Sequence, residues 1–264
     1  MFHLATTRRM LCQTRRDSAA SIGTSEPSLT QTPLRGLLFD MGDVLYDATL
    51  WRRWLYQLLG RIGLHSHYRT LYRVWDEDFL NDVHRGQREF AEAFAAFLHS
   101  LGLSRGQIDE VQAASQARKR ELEMSTRPLP GVRDTIERLA ARGIKLAVLN
   151  DSEQHGDELQ AHLARLGLGG YFSPVISSID LAHTKPSPVC YRAALAEMNM
   201  PTDVVAFVGH NGAELVGAGA VGLHTVAFNF DAGAKADHYL TRFEELLQIV
   251  DSRGAEADAL ANAA

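Results

Sequence analysis

Cysteine is scarce in this chain, with only Cys12 and Cys190 among 264 residues. Two cysteines cannot build a disulfide framework, and neither stands in a metal-binding spacing, so a reducing, cytoplasmic setting is expected. Long apolar runs are missing too. No stretch approaches the roughly 18 to 20 residues that a helix needs to cross a bilayer, and no membrane partner is expected. Basic surplus is the third absence: 27 Lys and Arg stand against 32 Asp and Glu, for a formal net charge of -5. Such a balance gives no long-range pull toward nucleic acid. Internal repeats are absent as well. What is present, 45% hydrophobic and 22% charged residues, is the composition of a folded globular protein long enough for a large domain or a core domain with an insertion.

The two ends differ from the rest. Residues 1–35 are rich in Arg, Ser and Thr, carry only Asp17 and Glu26 as acids, and lack core periodicity. They read as a disordered leader, with a transit peptide or an over-extended start before Met10 as competing readings. Residues 251–264, rich in Ala, read as a flexible tail.

Between the ends, short apolar runs alternate with helical patterns, as in a parallel sheet covered by helices. The runs are GLLF (36–39), KLAVLN (145–150), PVIS (174–177), VVAFVG (204–209) and HTVAFN (224–229). Helices are expected at about 131–142, 156–167, 187–199, 211–221 and 238–249. Residues 48–124 break the rhythm, offering only amphipathic helical stretches, and read as an inserted helical cap; the α/β core is then 36–47 and 125–250. In an open parallel sheet, ligands bind outside the carboxyl ends of the strands. That rule selects Asp40, Asp43, Asp47, Asn150, Asp151, Lys185, His210 and Glu214 for attention. Asp47 and Asp151 read as caps or turn residues, and Trp51 and Trp54 as packing rather than substrate contacts.

Four segments in order carry a resemblance. They are LLFDMGDVLYD, KLAVLNDS, HTKPSPVCYRAAL and VAFVGHNGAELVGAGAVG. Together they resemble the haloacid dehalogenase-like hydrolase superfamily, in its branch with a helical cap after the first strand, and the likeness runs from about Gly36 to Phe230. It implies a Rossmann-like, three-layer, doubly wound parallel sheet with an α-helical cap subdomain. It also implies that Asp40 attacks the substrate to form a covalent aspartyl intermediate that water cleaves. Lys185 would neutralise charge and Asn150 would bond a phosphate oxygen. A magnesium ion would be held by Asp40, the Gly42 carbonyl and Glu214 with His210.

The departures matter equally. Where the family has a general acid and base two residues after the nucleophile, this chain has Gly42, followed by Asp43. A shift of one residue along extended chain turns a side chain to the other side, so Asp43 either reaches in through a loosened turn or leaves the site. His210 stands where a magnesium-binding Asp is expected; imidazole favours manganese or another transition metal, or else is a strand-end histidine bonded locally. Glu214 is explained either as a ligand or as an acid at a helix N-terminus.

The leading expectation is a hydrolase of a small-molecule substrate, a phosphate ester. The competing one is a catalytically degenerate relative that binds a ligand or protein through the same cleft. A dehalogenase reading stands third, since it tolerates the missing acid at Gly42. Substrate identity and oligomeric state are not legible.

Overall fold

A computed structural model describes residues 32–261. The expectations for residues 1–31 and for the last residues of the tail lie outside this range. Six strands, β1 (Gly36–Phe39), β2 (Lys145–Asn150), β3 (Phe172–Ser177), β4 (Val205–Gly209), β5 (His224–Phe228) and β6 (His238–Leu240), form one sheet. Every pair is parallel, in the order β3-β2-β1-β4-β5-β6. In β1, Gly36 pairs with Lys145 on one side and Val205 on the other. The order reverses at β1 and β4, which places the ligand crevice of such a sheet above their carboxyl ends.

The expected cap follows β1. It comprises α1 (Thr49–Arg61), α2 (Tyr68–Val74), a π-helical turn (Trp75–Leu80), α3 (Asn81–His84), α4 (Phe90–Ser100) and α5 (Arg105–Ser125). These helices enclose a core of their own in which Trp75, 1% exposed, meets Phe79, Phe90, Phe94 and Phe97. Ser104 and Gln107 form a capping box that starts α5.

The chain returns through α6 (Val132–Ala141), α7 (Gly156–Arg165), the single turn α8 (Ser178–Leu181), α9 (Pro188–Met198), α10 (Gly212–Ala220) and α11 (Leu246–Ala261). Alternation along β1 shows how the layers are sorted, since successive strand residues face opposite sides. Leu37 and Phe39 join Ile136, Leu163 and Leu246 from α6, α7 and α11. Leu38, between them, joins Ala194 of α9 and Leu215 of α10. The result is a three-layer α/β core with an inserted helical cap.

The structure differs from the sequence expectations at three places. The leader was expected to run to residue 35, yet Leu34 is only 3% exposed and Arg35 already pairs on both sides, donating to Val204 O and accepting from Lys145 N. The helix expected over 238–249 is a strand at its start. His238–Leu240 adds to the open edge of β5, and Asp237, accepting from Thr225 N and Oγ1, fixes it there. The helix begins instead at Leu246 and continues to Ala261, through most of the segment read as a flexible tail.

Candidate active site

Asp40 follows β1 at the centre of the sheet and is 5% exposed. Its backbone N–H continues the pairing with β4 by donating to Val208 O at 2.9 Å. One carboxylate oxygen is fully engaged: Oδ1 accepts from Met41 N at 2.9 Å and from Lys185 Nζ at 2.7 Å. Oδ2 faces His210, whose Nε2 lies 3.5 Å away on the loop after β4.

Lys185 reaches Asp40 because a loop between β3 and α9 packs tightly on α10. A Cβ at Gly217 would stand 2.6 Å from Pro186 Cβ and 2.8 Å from its carbonyl, so only glycine admits this approach. Asp151, after β2, holds the same loop by accepting from Lys185 N at 3.1 Å. Lys185 Nζ is also 2.9 Å from Glu214 Oε2, an ion pair without hydrogen-bond geometry. Burial disfavours the ammonium, but Asp40, then Glu214 and Asp151, outweigh it and hold its pKa well above the ordinary value. Burial likewise pushes Glu214 up to about 8 against the pull of Lys185, and Asp151 up to about 6.

Asp43 takes a left-handed backbone conformation, φ 56°, unusual for a residue with a side chain. Its N–H donates to Tyr46 O at 2.7 Å, its Oδ1 accepts from Ala48 N at 2.9 Å, and its carbonyl accepts from Asn229 Nδ2 at 3.0 Å. One carboxylate oxygen therefore closes the turn into α1. Burial raises the Asp43 pKa, opposed first by the hydrogen bond from Ala48 N and then by the neighbouring His210, so the two side chains lie in each other's field. At Gly42, a Cβ would sit 3.0 Å from Ala48 Cβ, so a side chain at this position is crowded. Asp47 is a cap, accepting from Thr49 N at 2.9 Å and Thr49 Oγ1 at 2.6 Å and pairing with Arg53.

Of the residues expected to hold magnesium, Asp40 and His210 face each other, Nε2 3.5 Å from Oδ2, and Glu214 Oε2 lies 2.9 Å from Lys185 Nζ. Magnesium prefers near-octahedral oxygen donors at about 2.0–2.1 Å, and the imidazole of His210, 3.5 Å from Asp40 Oδ2, suits a transition metal better. Among the described residues, no group of three or more His, Cys, Asp or Glu side chains is placed to hold a metal ion.

A chamber of about 270 Å³ opens beside the strand ends, between core and cap. Gly42, Tyr46, Asn150, Glu153 and His162 line it from the core; Trp51, Arg52, His84, Phe90 and Lys119 line it from the cap. Asn150, at the end of β2 beside Ser177 of β3, thus stands at the chamber. Trp51 has both roles weighed for it: its ring packs 5.6 Å from Phe94 and its Nε1 donates to Ser115 Oγ at 2.9 Å, while it also lines the chamber. Sequence reasoning missed Lys119, His84, Glu153, Tyr46 and His162. Glu153, three residues beyond Asn150, and Tyr46, within LLFDMGDVLYD, carried a signal, since both lie in segments after a strand.

A family model described as haloacid dehalogenase-like hydrolase matches residues 34–222, most of the chain, and the chain belongs to that family. The (S)-2-haloacid dehalogenase 2 of Pseudomonas sp. (strain CBS-3) is 22% identical over 233 residues, covering 84% of this chain and 98% of that protein. The phosphorylated carbohydrates phosphatase of Thermotoga maritima is 26% identical over 178 residues, 66% of this chain and 76% of that protein. Among solved structures, the L-2-haloacid dehalogenase RSc1362 superposes with a TM-score of 0.65 at 22% identity, covering 83% of this chain and all (100%) of that one. The last likeness speaks for the fold alone. The protein is a haloacid dehalogenase-like hydrolase, and relatives include both dehalogenases and phosphatases.

Proposed function

We propose that this hydrolase uses Asp40 Oδ2 to displace a leaving group from a carbon centre of a small molecule. The observation that carries the reading is the unequal state of the two Asp40 oxygens: Oδ1 is held by Lys185 and Met41 N, and Oδ2 is left toward His210. Attack forms the bond from Oδ2 to carbon while the leaving group departs as an anion with the bonding pair. Water then adds at Asp40 Cγ and the ester bond to Oδ2 breaks, giving an alcohol and a regenerated carboxylate. His210 Nε2 is the base placed to take the water's proton.

Two features favour carbon over phosphorus. An anionic leaving group needs no acid at position 42, where this chain has glycine. A phosphate dianion, in contrast, meets the Asp40 carboxylate head on. Two unit charges at 4 Å cost about 4 kcal/mol at an effective dielectric constant near 20, and with Lys185 already shared between Asp40 and Glu214, offsetting that repulsion calls for a divalent cation. The full-length likeness to a 2-haloacid dehalogenase agrees with this reading.

The phosphate ester remains a second reading on one observation. His210 Nε2 and Asp40 Oδ2, 3.5 Å apart, are spaced as two neighbouring ligands of a transition metal would be. The test is a panel of 2-halo acids and phosphorylated small molecules, assayed with a chelator and with manganese. Halide release that persists in chelator and disappears in Asp40→Asn supports the first reading. Phosphate release that requires manganese replaces it with the second, and turnover untouched by Asp40→Asn refutes both.

A further inference from the structure

Resting on the reading that Asp40 acts on a small molecule, and taking the chamber that Gly42 and Asn150 line beside the strand ends as the place of that substrate, we propose that Lys119 of the cap binds a carboxylate of it, and that Glu153 occupies that carboxylate's place in the free enzyme. Lys119 is on α5 and reaches across the chamber to the loop after β2, where its Nζ donates to Glu153 Oε1 at 2.9 Å. Below the ammonium lies the ring of Phe90, 3.4 Å from Nζ to the centroid, with the Trp51 ring at 5.2 Å. The aromatic faces fix the cation independently of Glu153. An ammonium has three donors; one goes to Glu153, and the rings accept no conventional hydrogen bond.

Both members of the pair are open to the chamber, with side-chain exposures of 29% for Lys119 and 34% for Glu153. An entering anion therefore reaches the ammonium without unfolding any element. The present occupant shows which anion fits. Glu153 is a carboxylate, and its second oxygen lies 4.0 Å from His84 Nε2, so one ammonium and one imidazole frame a planar monoanion. Burial opposes the charge on Glu153, and Lys119 outweighs it, keeping this carboxyl below its ordinary pKa. Burial holds the His84 pKa low, and at 4.0 Å from Glu153 Oε2 its imidazole is a polar neighbour rather than a hydrogen-bond partner. A substrate carboxylate would replace one charge-assisted hydrogen bond by another, with Glu153 swinging to solvent.

The alternative is a latch, in which the pair merely ties cap to core. The two roles predict opposite behaviour for two variants. Glycolate is titrated into the full chain while tryptophan fluorescence is followed, since Trp51 stands beside Lys119; methyl glycolate is the uncharged control. If Lys119 reads a carboxylate, Glu153→Gln frees it and tightens glycolate binding at least fivefold, Lys119→Met weakens it at least fivefold, and methyl glycolate distinguishes none of the proteins. Equal weakening in both variants establishes the latch and overturns the proposal, as does the absence of any glycolate response in Glu153→Gln. The readout needs no turnover. A failed Asp40→Asn test would therefore refute the hydrolytic reading without altering the outcome of this titration.

Discussion

At the residue scale, the site is governed by one buried cation between two carboxylates. Lys185→Met removes the partner of a buried Asp40 and leaves its charge uncompensated, which costs about 3 to 5 kcal/mol. Urea denaturation should show that loss, and turnover should vanish with it. Asp40→Asn keeps the shape and removes the nucleophile, so activity should fall below about a thousandth, and the urea midpoint should fall as well because the buried Lys185 loses its main compensating charge. Glu214 provides a pH test. Its pKa is raised from the ordinary 4.5 to about 8 in the folded chain, so the folded state binds the extra proton over that window. Stability is then fully present below the unfolded value and is lost as pH rises through the folded one. Between about pH 7.5 and 8.5 the histidines with lowered pKa, ordinarily near 6.5, are largely neutral in both states, and Glu214 should dominate. The stability of the native sequence should fall across that interval, and Glu214→Gln should flatten the profile.

At the scale of elements, the position of Lys185 depends on how closely α10 lies against the loop that carries it. Gly217→Ala inserts a methyl where Pro186 atoms stand 2.6 and 2.8 Å away, so the loop or the helix must move. Overpacking of this kind costs about 1 to 3 kcal/mol. A displaced Lys185 should lower kcat more than it raises KM, read by steady-state kinetics on whichever substrate the panel yields. The turn from β1 into α1 has its own logic. Asp43 spends one oxygen on Ala48 N, so the acid that departs from the family pattern is committed to the turn yet close enough to share a field with His210.

At the scale of the whole molecule, the cap has a core that is separate from the two cores flanking the sheet. Trp75 is its centre, and Trp75→Ala should cost about 3 to 5 kcal/mol by leaving a cavity. Hydrogen exchange should show the lost protection concentrated in residues 49–125, with β1 and β4 still protected. A uniform loss across the sheet would mean that cap and core unfold as one unit.

The sequence by itself determined the alternation of strands and helices, the insertion after the first strand, and the cluster of polar residues at strand ends. These follow from local causes: runs of four to six apolar residues suit buried strands, and a seventy-residue interval without such a run suits a helical insert. Asp40 and Lys185 stood out through the likeness of their segments to the family's motifs, and the structure brings the two together, Lys185 Nζ 2.7 Å from Asp40 Oδ1. His238–Leu240 was misread as helix because its state depends on the open edge of β5, not on its own pattern. Tertiary structure alone decided where the side chains point. Glu214 stands 2.9 Å from the Lys185 ammonium, a contact that depends on how α10 lies against the loop after β3 rather than on any local pattern. Lys119 and Glu153, 34 residues apart, meet only because the cap folds back over the strand ends, and no local pattern encodes a distance across a chamber.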